Sequence, residues 1–216
     1  FQMVPFGRLF NMALSLDGTT GIVSANIQDG TITGSDIASS TITASNIASS
    51  TITPAKLAQP LTLGTAVAIS GNPTSVDFNS IPSWAKRITV MLNGVSLSGT
   101  DNILVQIGSG SVTSSGYLCR GSYVNTGTDV GSASSTSGFL VWNGISSSAI
   151  SIIMNICVFD SSNYIYISSH SGGDASGTKT LNGGGSVTLS GIMDRVRITR
   201  AGTNTFDAGS VNIMYE

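Results

Sequence analysis

TITGSDIASS (31–40), TITASNIASS (41–50) and TITPAKLAQP (51–60) are copies of one ten-residue unit, and GIVSANIQDG (21–30) is a looser copy. Through them a large apolar residue recurs every five positions: Ile22, Ile27, Ile32, Ile37, Ile42, Ile47, Ile52 and Leu57. A spacing of five fits no regular element. On a strand residues i and i+5 face opposite sides, and on a helix they lie about 140° apart. A bend inside each unit is needed to bring both apolar residues to one side.

The residue types place that bend. T-I-T is β-branched and favours extended backbone. The second Thr of each unit (Thr33, Thr43, Thr53) is a good helix N-cap, which puts Pro54 at the first helical position and Asp36 at the third. Ile32, Ile42 and Ile52 then stand just before the cap. Ile37, Ile47 and Leu57 stand four residues after it, in the arrangement of a hydrophobic staple. Val23 holds the cap position in the first unit, where the pattern is weakest. Each unit therefore reads as a short extended piece, a single capped helical turn and a polar return through A-S-S.

One turn of helix is not stable alone in water, and a unit with two large apolar side chains cannot bury them itself. Three parallel copies of the chain would bring the isoleucines to one axis and leave Ser and Thr outside. The competing reading is a disordered polar linker, which leaves eight apolar residues in register unexplained. Fully extended, 22–57 would reach at most ~120 Å, so the stretch reads as a narrow trimeric stem.

From residue 61 the pattern changes. Runs near 61–70, 74–78, 86–97, 102–108, 116–124, 138–143, 150–159, 163–169, 186–190, 192–200 and 210–216 read as strands separated by Gly, Ser and Asn clusters. Val187 and Leu189, Val196 and Ile198, and Val211, Ile213 and Tyr215 alternate cleanly. The expected fold is all-β: a β-sandwich or jelly-roll head on the repeat stem. ISIIMNICVF (150–159) is nearly continuously apolar, which places it at the sandwich centre or in a subunit interface. Trp84, after the turn set by Pro82, reads as a plug at the end of the core. The expected organisation is an N-terminal attachment segment (1–20), the decapeptide stem (21–60) and the head (61–216).

The chain has 216 residues, of which 9% are charged, with a net charge of −2. Nothing in that balance attracts nucleic acid or anionic membrane, and no apolar run approaches the length of a membrane helix. FQMVPFGRLFNMALSL (1–16) carries no initiator Met and reads as the start of a fragment or processed chain. Arg8 and Asn11 interrupt its apolar run, so it does not read as a signal peptide. Phe1, Phe6 and Phe10 either dock on another protein or cap the stem core, the latter being preferred. Cys119 and Cys157 lie in strand-like runs and read as two buried thiols rather than a disulfide.

Two polar segments, 121–137 and 168–185, read as long loops, and long loops are often functional. They carry Tyr123, Asn125, Asp129, His170, Asp174 and Lys179, the candidate receptor contacts. An aromatic ring covers the apolar face of a sugar while amides and carboxylates take its hydroxyls. Each of these residues also has a plain reading as a solvated loop residue.

Catalytic chemistry finds little to work with. His170 is the only histidine, so a zinc site with several His ligands from one chain is excluded, and a Ser–His–Asp triad would have to use it. Asp101, Asp129, Asp160 and Asp174 are conceivable as paired carboxylates, but each sits beside turn residues, where Asp is ordinary. GSGSVTSSG (108–116) lacks the helix a phosphate loop requires. No catalytic residue, metal site or cofactor is expected.

The shaft-like run GTITGSDIASSTITASNIASSTITPAKLA resembles the distal shaft of tailed-bacteriophage tail fibres. VDFNSIPSWAKRITVMLNGVS (76–96), ILVQIGS (103–109) and TFDAGSVNIMYE (205–216) are similar to a fibre-tip head domain, so the resemblance covers about 21–216. It implies a homotrimer on the virion, outside the cell, that recognises a bacterial surface glycan or outer-membrane protein. It also implies attachment to other tail proteins through the N-terminal part and assembly in the reducing host cytoplasm, in keeping with unpaired cysteines. It transfers no catalytic residue. The alternatives are a purely structural spike or fibre cap that locks the trimer, and a glycan depolymerase.

Overall fold

The computed structural model describes residues 30–53, 56–57, 59–127, 129–142 and 148–216. The expectations for Phe1, Phe6, Phe10, Ile22, Val23, Ile27 and Pro54 lie outside the described residues. The chain divides into two units, one ending at Ile52 and the other beginning at Thr53.

In the first unit the repeat turns where its threonines require. Thr33 is extended (φ −104°, ψ 170°) and caps a 3-10 turn over Gly34–Asp36; Thr43 does the same for Ala44–Asn46. The turn is tighter than an α-helical one, with Asp36 N–H donating to the Thr33 carbonyl at 3.0 Å. The third residue of the turn reaches back to the cap. Thr33 donates from its N–H (2.8 Å) and its hydroxyl (2.7 Å) to Asp36 Oδ2. Thr43 makes the same pair of bonds to Asn46 Oδ1, at 2.8 and 2.7 Å. These bonds hold the Asp36 carboxyl below its usual pKa, the Thr33 hydroxyl being the largest cause.

Each unit closes on a left-handed residue: Gly30 (φ 80°), Ser40 (φ 65°) and Ser50 (φ 64°). Position 60 is Pro, whose ring fixes φ near −65°, so the fourth such closure is impossible and the repeat ends there. Ile32 and Ile42 are each 57% exposed, and Ile37 and Ile47 each 42%. Identical exposure in successive units means that the units are conformational copies.

Among the described residues of the second unit there are fourteen strands. They are β1 (Thr62–Leu63), β2 (Val67–Ala68), β3 (Val76–Asn79), β4 (Arg87–Leu97), β5 (Ile103–Ser109), β6 (Ser111–Val112) and β7 (Leu118–Asn125). There follow β8 (Val130–Ser135), β9 (Phe139–Val141), β10 (Ile150–Asp160), β11 (Ile165–Asp174), β12 (Lys179–Thr188), β13 (Arg195–Arg200) and β14 (Phe206–Tyr215). A nine-stranded sheet runs β1-β14-β4-β10-β11-β12-β7-β8, with β2 also on β14; a five-stranded sheet runs β3-β13-β5-β6, with β9 also on β5. The described pairings are antiparallel, so the fold is all-β.

The two sheets share one core. Ile88, Val90, Met154, Ile156 and Ile213 enter it from the large sheet, and Ile103, Val105, Val196 and Ile198 from the small one. Tyr117 fastens the layers: its hydroxyl accepts the Ile107 N–H at 2.8 Å and its ring meets Phe139 edge-on at 5.0 Å. Burial pushes its pKa up to about 12. Trp84 packs against Tyr215 at 5.7 Å from within a turn closed by Ala85 N–H on the Pro82 carbonyl (3.0 Å). The expected plug is therefore in place.

Three expectations need correction. The segments 121–137 and 168–185 are not long loops. They are largely β7–β8 and β11–β12, with short turns at the tips. Their glycines serve packing rather than turning: a Cβ on Gly172 would lie 2.1 Å from the Ser151 carbonyl oxygen, and one on Gly183 2.3 Å from His170 Cε1. Composition suggested loop because glycine is poor in isolated strands, but contact with neighbouring strands decides. Second, β10 lies mid-sheet as expected, yet buries one face only. Ile150, Ile152, Met154 and Ile156 point into the core, while Ile153 points out and is 54% exposed. Third, Cys119 is buried and free, its thiol donating to the Gly138 carbonyl at 3.0 Å, but Cys157 takes an outward position on β10 and is half-exposed.

Candidate functional site

The pairing of β12 with β7 sets Lys179 opposite Asn125, so the tips of hairpins β7–β8 and β11–β12 lie side by side. Thr126 N–H donates to the Thr178 carbonyl at 2.9 Å and ties the tips together. A cleft of about 380 Å³ opens there, lined by Asn125, Ser148, Ala149, Asp174, Ala175, Ser176, Thr178 and Lys179. A smaller one of about 280 Å³ shares Asn125, Asp174, Thr178 and Lys179.

Five of the six candidate contacts meet at this end of the sheet. Tyr123 is half-buried, its ring 5.0 Å from that of Trp142 and its hydroxyl donating to Asp129 Oδ2 at 3.1 Å. The Asp129 carboxylate accepts that proton's bond, which raises the Tyr123 pKa, with burial adding to it. The Lys179 ammonium lies 5.3 Å from the centre of the Tyr123 ring, a cation–π distance. Gly131 makes room for the ring, since a Cβ there would lie 2.3 Å from Tyr123 Cε1.

Asn125 and Asp174 build the tips. Asn125 Oδ1 accepts the Thr126 N–H at 2.8 Å. Asp174 accepts from Ser176 Oγ (2.5 Å), Thr178 N–H (3.0 Å), Thr178 Oγ1 (3.1 Å) and Lys179 N–H (2.9 Å). Burial acts to raise its pKa, and these bonds outweigh it and hold the carboxyl below its usual range. Its oxygens are thus occupied by the turn, while Ser148, Ser176, Thr178 and Lys179 contribute to the lining of the cleft.

His170 stands apart and is not a surface contact. It points from β11 into the core, is 6% exposed, and neither ring nitrogen has a hydrogen-bond partner among the described residues. Burial lowers its pKa to about 4. No Ser–His–Asp relay forms on it there, because its nitrogens bond to no hydroxyl or carboxylate of the described residues. Among the described residues no group of three or more His, Cys, Asp and Glu is placed to hold a metal ion, and no helix is long and apolar enough to cross a membrane.

Trp142, Ser148 and Thr178 were missed. Trp142 ends the apolar run 138–143, where an aromatic reads as core, and Thr178 lay unmarked among polar residues. Only the hairpin register brings them beside Tyr123 and Asn125. Comparison with known protein families, curated proteins and solved structures finds no match to this chain.

Proposed function

We propose that the chain is the distal part of a homotrimeric tail-fibre protein of a tailed bacteriophage. Its two-sheet head, of the sandwich or jelly-roll kind, adsorbs to a bacterial surface receptor without catalysis. A surface glycan is the favoured receptor class and an outer-membrane protein the other. The observation that carries this reading is the repeat: locked turns present isoleucines at five-residue intervals, each 42–57% exposed in one chain. Such a chain gains stability when neighbouring apolar surface covers those side chains, and copies of itself present the same spacing in register. Three heads on one fibre, and several fibres on one virion, then multiply weak contacts by avidity.

The hairpin-tip cleft is the favoured contact site. Its lining offers Lys179 and the hydroxyl-bearing Ser148, Ser176 and Thr178 to a sugar's hydroxyls, and the Tyr123–Trp142 pair stands next to Lys179 at the same end of the sheet, outside the lining itself. The internal use of Asp174 and Asn125 favours a second reading, in which the tips are structural and the head only locks the trimer.

Fluorescently labelled full chain, tested on a panel of bacteria and their purified surface polysaccharides, separates the readings. Receptor binding predicts saturable staining of some strains, lost in Lys179→Ala and Ser176→Ala/Thr178→Ala variants that melt like wild type. Staining unchanged in those variants would remove the cleft from the interface, and no staining of any strain would favour the structural cap. Release of reducing ends from a polysaccharide would establish the depolymerase reading instead.

A further inference from the structure

The outer face of the nine-stranded sheet carries an apolar centre that one chain leaves uncovered. Register places Ile153 (β10) beside Met91 (β4) and Ser171 (β11), and Cys157 beside Ile167. Met214 (β14) stands in the adjacent row, opposite Thr89 and next to Asn155 beyond it. Ile153 is 54% exposed and Ile167 44%, with Met91, Met214 and Cys157 half-exposed. A groove of about 470 Å³ between Met91, Ile153 and Ser171 opens on this side. The positions next to this centre are Asn155, Ser169, Ser171, Asn182 and Asn212, all neutral, and Arg120 on β7 stands farther out, beyond Gly184 in the row of Asn155 and Ser169. Arg87 at the end of the patch is ion-paired with Glu216.

We infer that this face of the head is its interface with other copies of the same chain. The inference rests on the homotrimer proposed above. Two features choose the occupant. A central strand buried on one face only is expected to carry polar residues on the other, whereas β10 sets Ile153 and Cys157 on its outer face among Ser151 and Asn155. In a symmetric assembly every charge near the axis meets its own copy, so a face that packs on itself must be free of charge at its centre. Loss of charged residues is also the mark of an interface core. A face meant for a differently charged partner would carry complementary charges, and a solvated one would carry lysines and glutamates.

Thiol labelling tests this on the full chain. Ser169→Cys lies in the patch and Ala175→Cys on a hairpin tip; both positions are exposed in the single chain. Maleimide reaction is read site by site by mass spectrometry, with solution mass measured on the same samples. The expected result is a trimer in which the thiol introduced by Ser169→Cys reacts at least about tenfold more slowly than the one introduced by Ala175→Cys. Ile153→Lys is expected to remove that protection while the repeat keeps the chains together. Equal labelling in a particle of trimer mass would overturn the head interface and leave the trimer standing. A monomer would overturn both.

Discussion

His170 makes the head acid-sensitive in a way that can be calculated. Its imidazole is buried with neither nitrogen bonded, so the folded head disfavours its protonated form and its pKa falls from 6.5 to about 4. The residues sharing its side of the neighbouring strands, Met154 on β10 and Gly183 on β12, offer no counter-charge. Tyr166, Cys119 and Tyr123, the titratable groups on the same side of β11 and β7, are neutral acids at this pH. Below pH 6.5 the unfolded chain takes up a proton that the folded chain refuses until about pH 4. Stability from this group is therefore constant above pH 6.5 and falls as pH drops from 6.5 to 4. The whole loss is about 3 kcal/mol per chain. Carboxylates with lowered pKa values, such as Asp160, Asp174 and Asp194, add their own loss at lower pH, so a difference measurement is needed. Urea unfolding of wild type and His170→Leu, at one chain concentration and at pH 7, 5.5 and 4.5, isolates the imidazole. The variant should lose about 2–3 kcal/mol less than wild type between pH 7 and 4.5. Parallel pH dependence in the two proteins would show that His170 is not buried uncharged.

Other outcomes follow from the same geometry. Ser40→Gly and Ser50→Gly should each raise stability by about 0.5–1 kcal/mol, measured by thermal melting, because both serines hold left-handed backbone at φ near 65°. Gly183→Ala should lower head stability by about 1–3 kcal/mol, since the new methyl would meet His170 Cε1 and the Arg120 carbonyl oxygen; an unchanged denaturation midpoint would contradict the tight β11–β12 packing. Ile42→Asp should weaken assembly, shifting the mass in light scattering towards the single chain, because several carboxylates would meet near one axis.

The repeat was legible because its signals are local. A Thr before a short turn, with a side-chain acceptor three residues on, specifies a cap without reference to distant residues, and Asp36 and Asn46 both supply that acceptor. The left-handed closures were not foreseen at Ser40 and Ser50, although Gly30 at the same repeat position and Pro60 at the stop carry the signal. The head was legible as all-β from alternation at Val187, Val196 and Val211. Its hairpins were not, because Gly172, Gly183 and Gly184 are placed by close backbone and side-chain contacts with neighbouring strands, which composition alone does not show. The same blindness misassigned His170: among serines and glycines it reads as exposed, and only the pairing with Met154 and Gly183 turns it inward. Tyr123, Asn125, Asp174 and Lys179 were found as residue types suited to recognition, but their convergence depends on the β7–β12 register.

The solution mass of the intact chain, by light scattering coupled to size exclusion, tests trimeric assembly most directly. Three chains of 22.0 kDa give 66.0 kDa. A mass of 66.0 kDa, unchanged on dilution, is the predicted result. A mass of 22.0 kDa would leave the exposed repeat isoleucines without partners and would contradict the fibre reading.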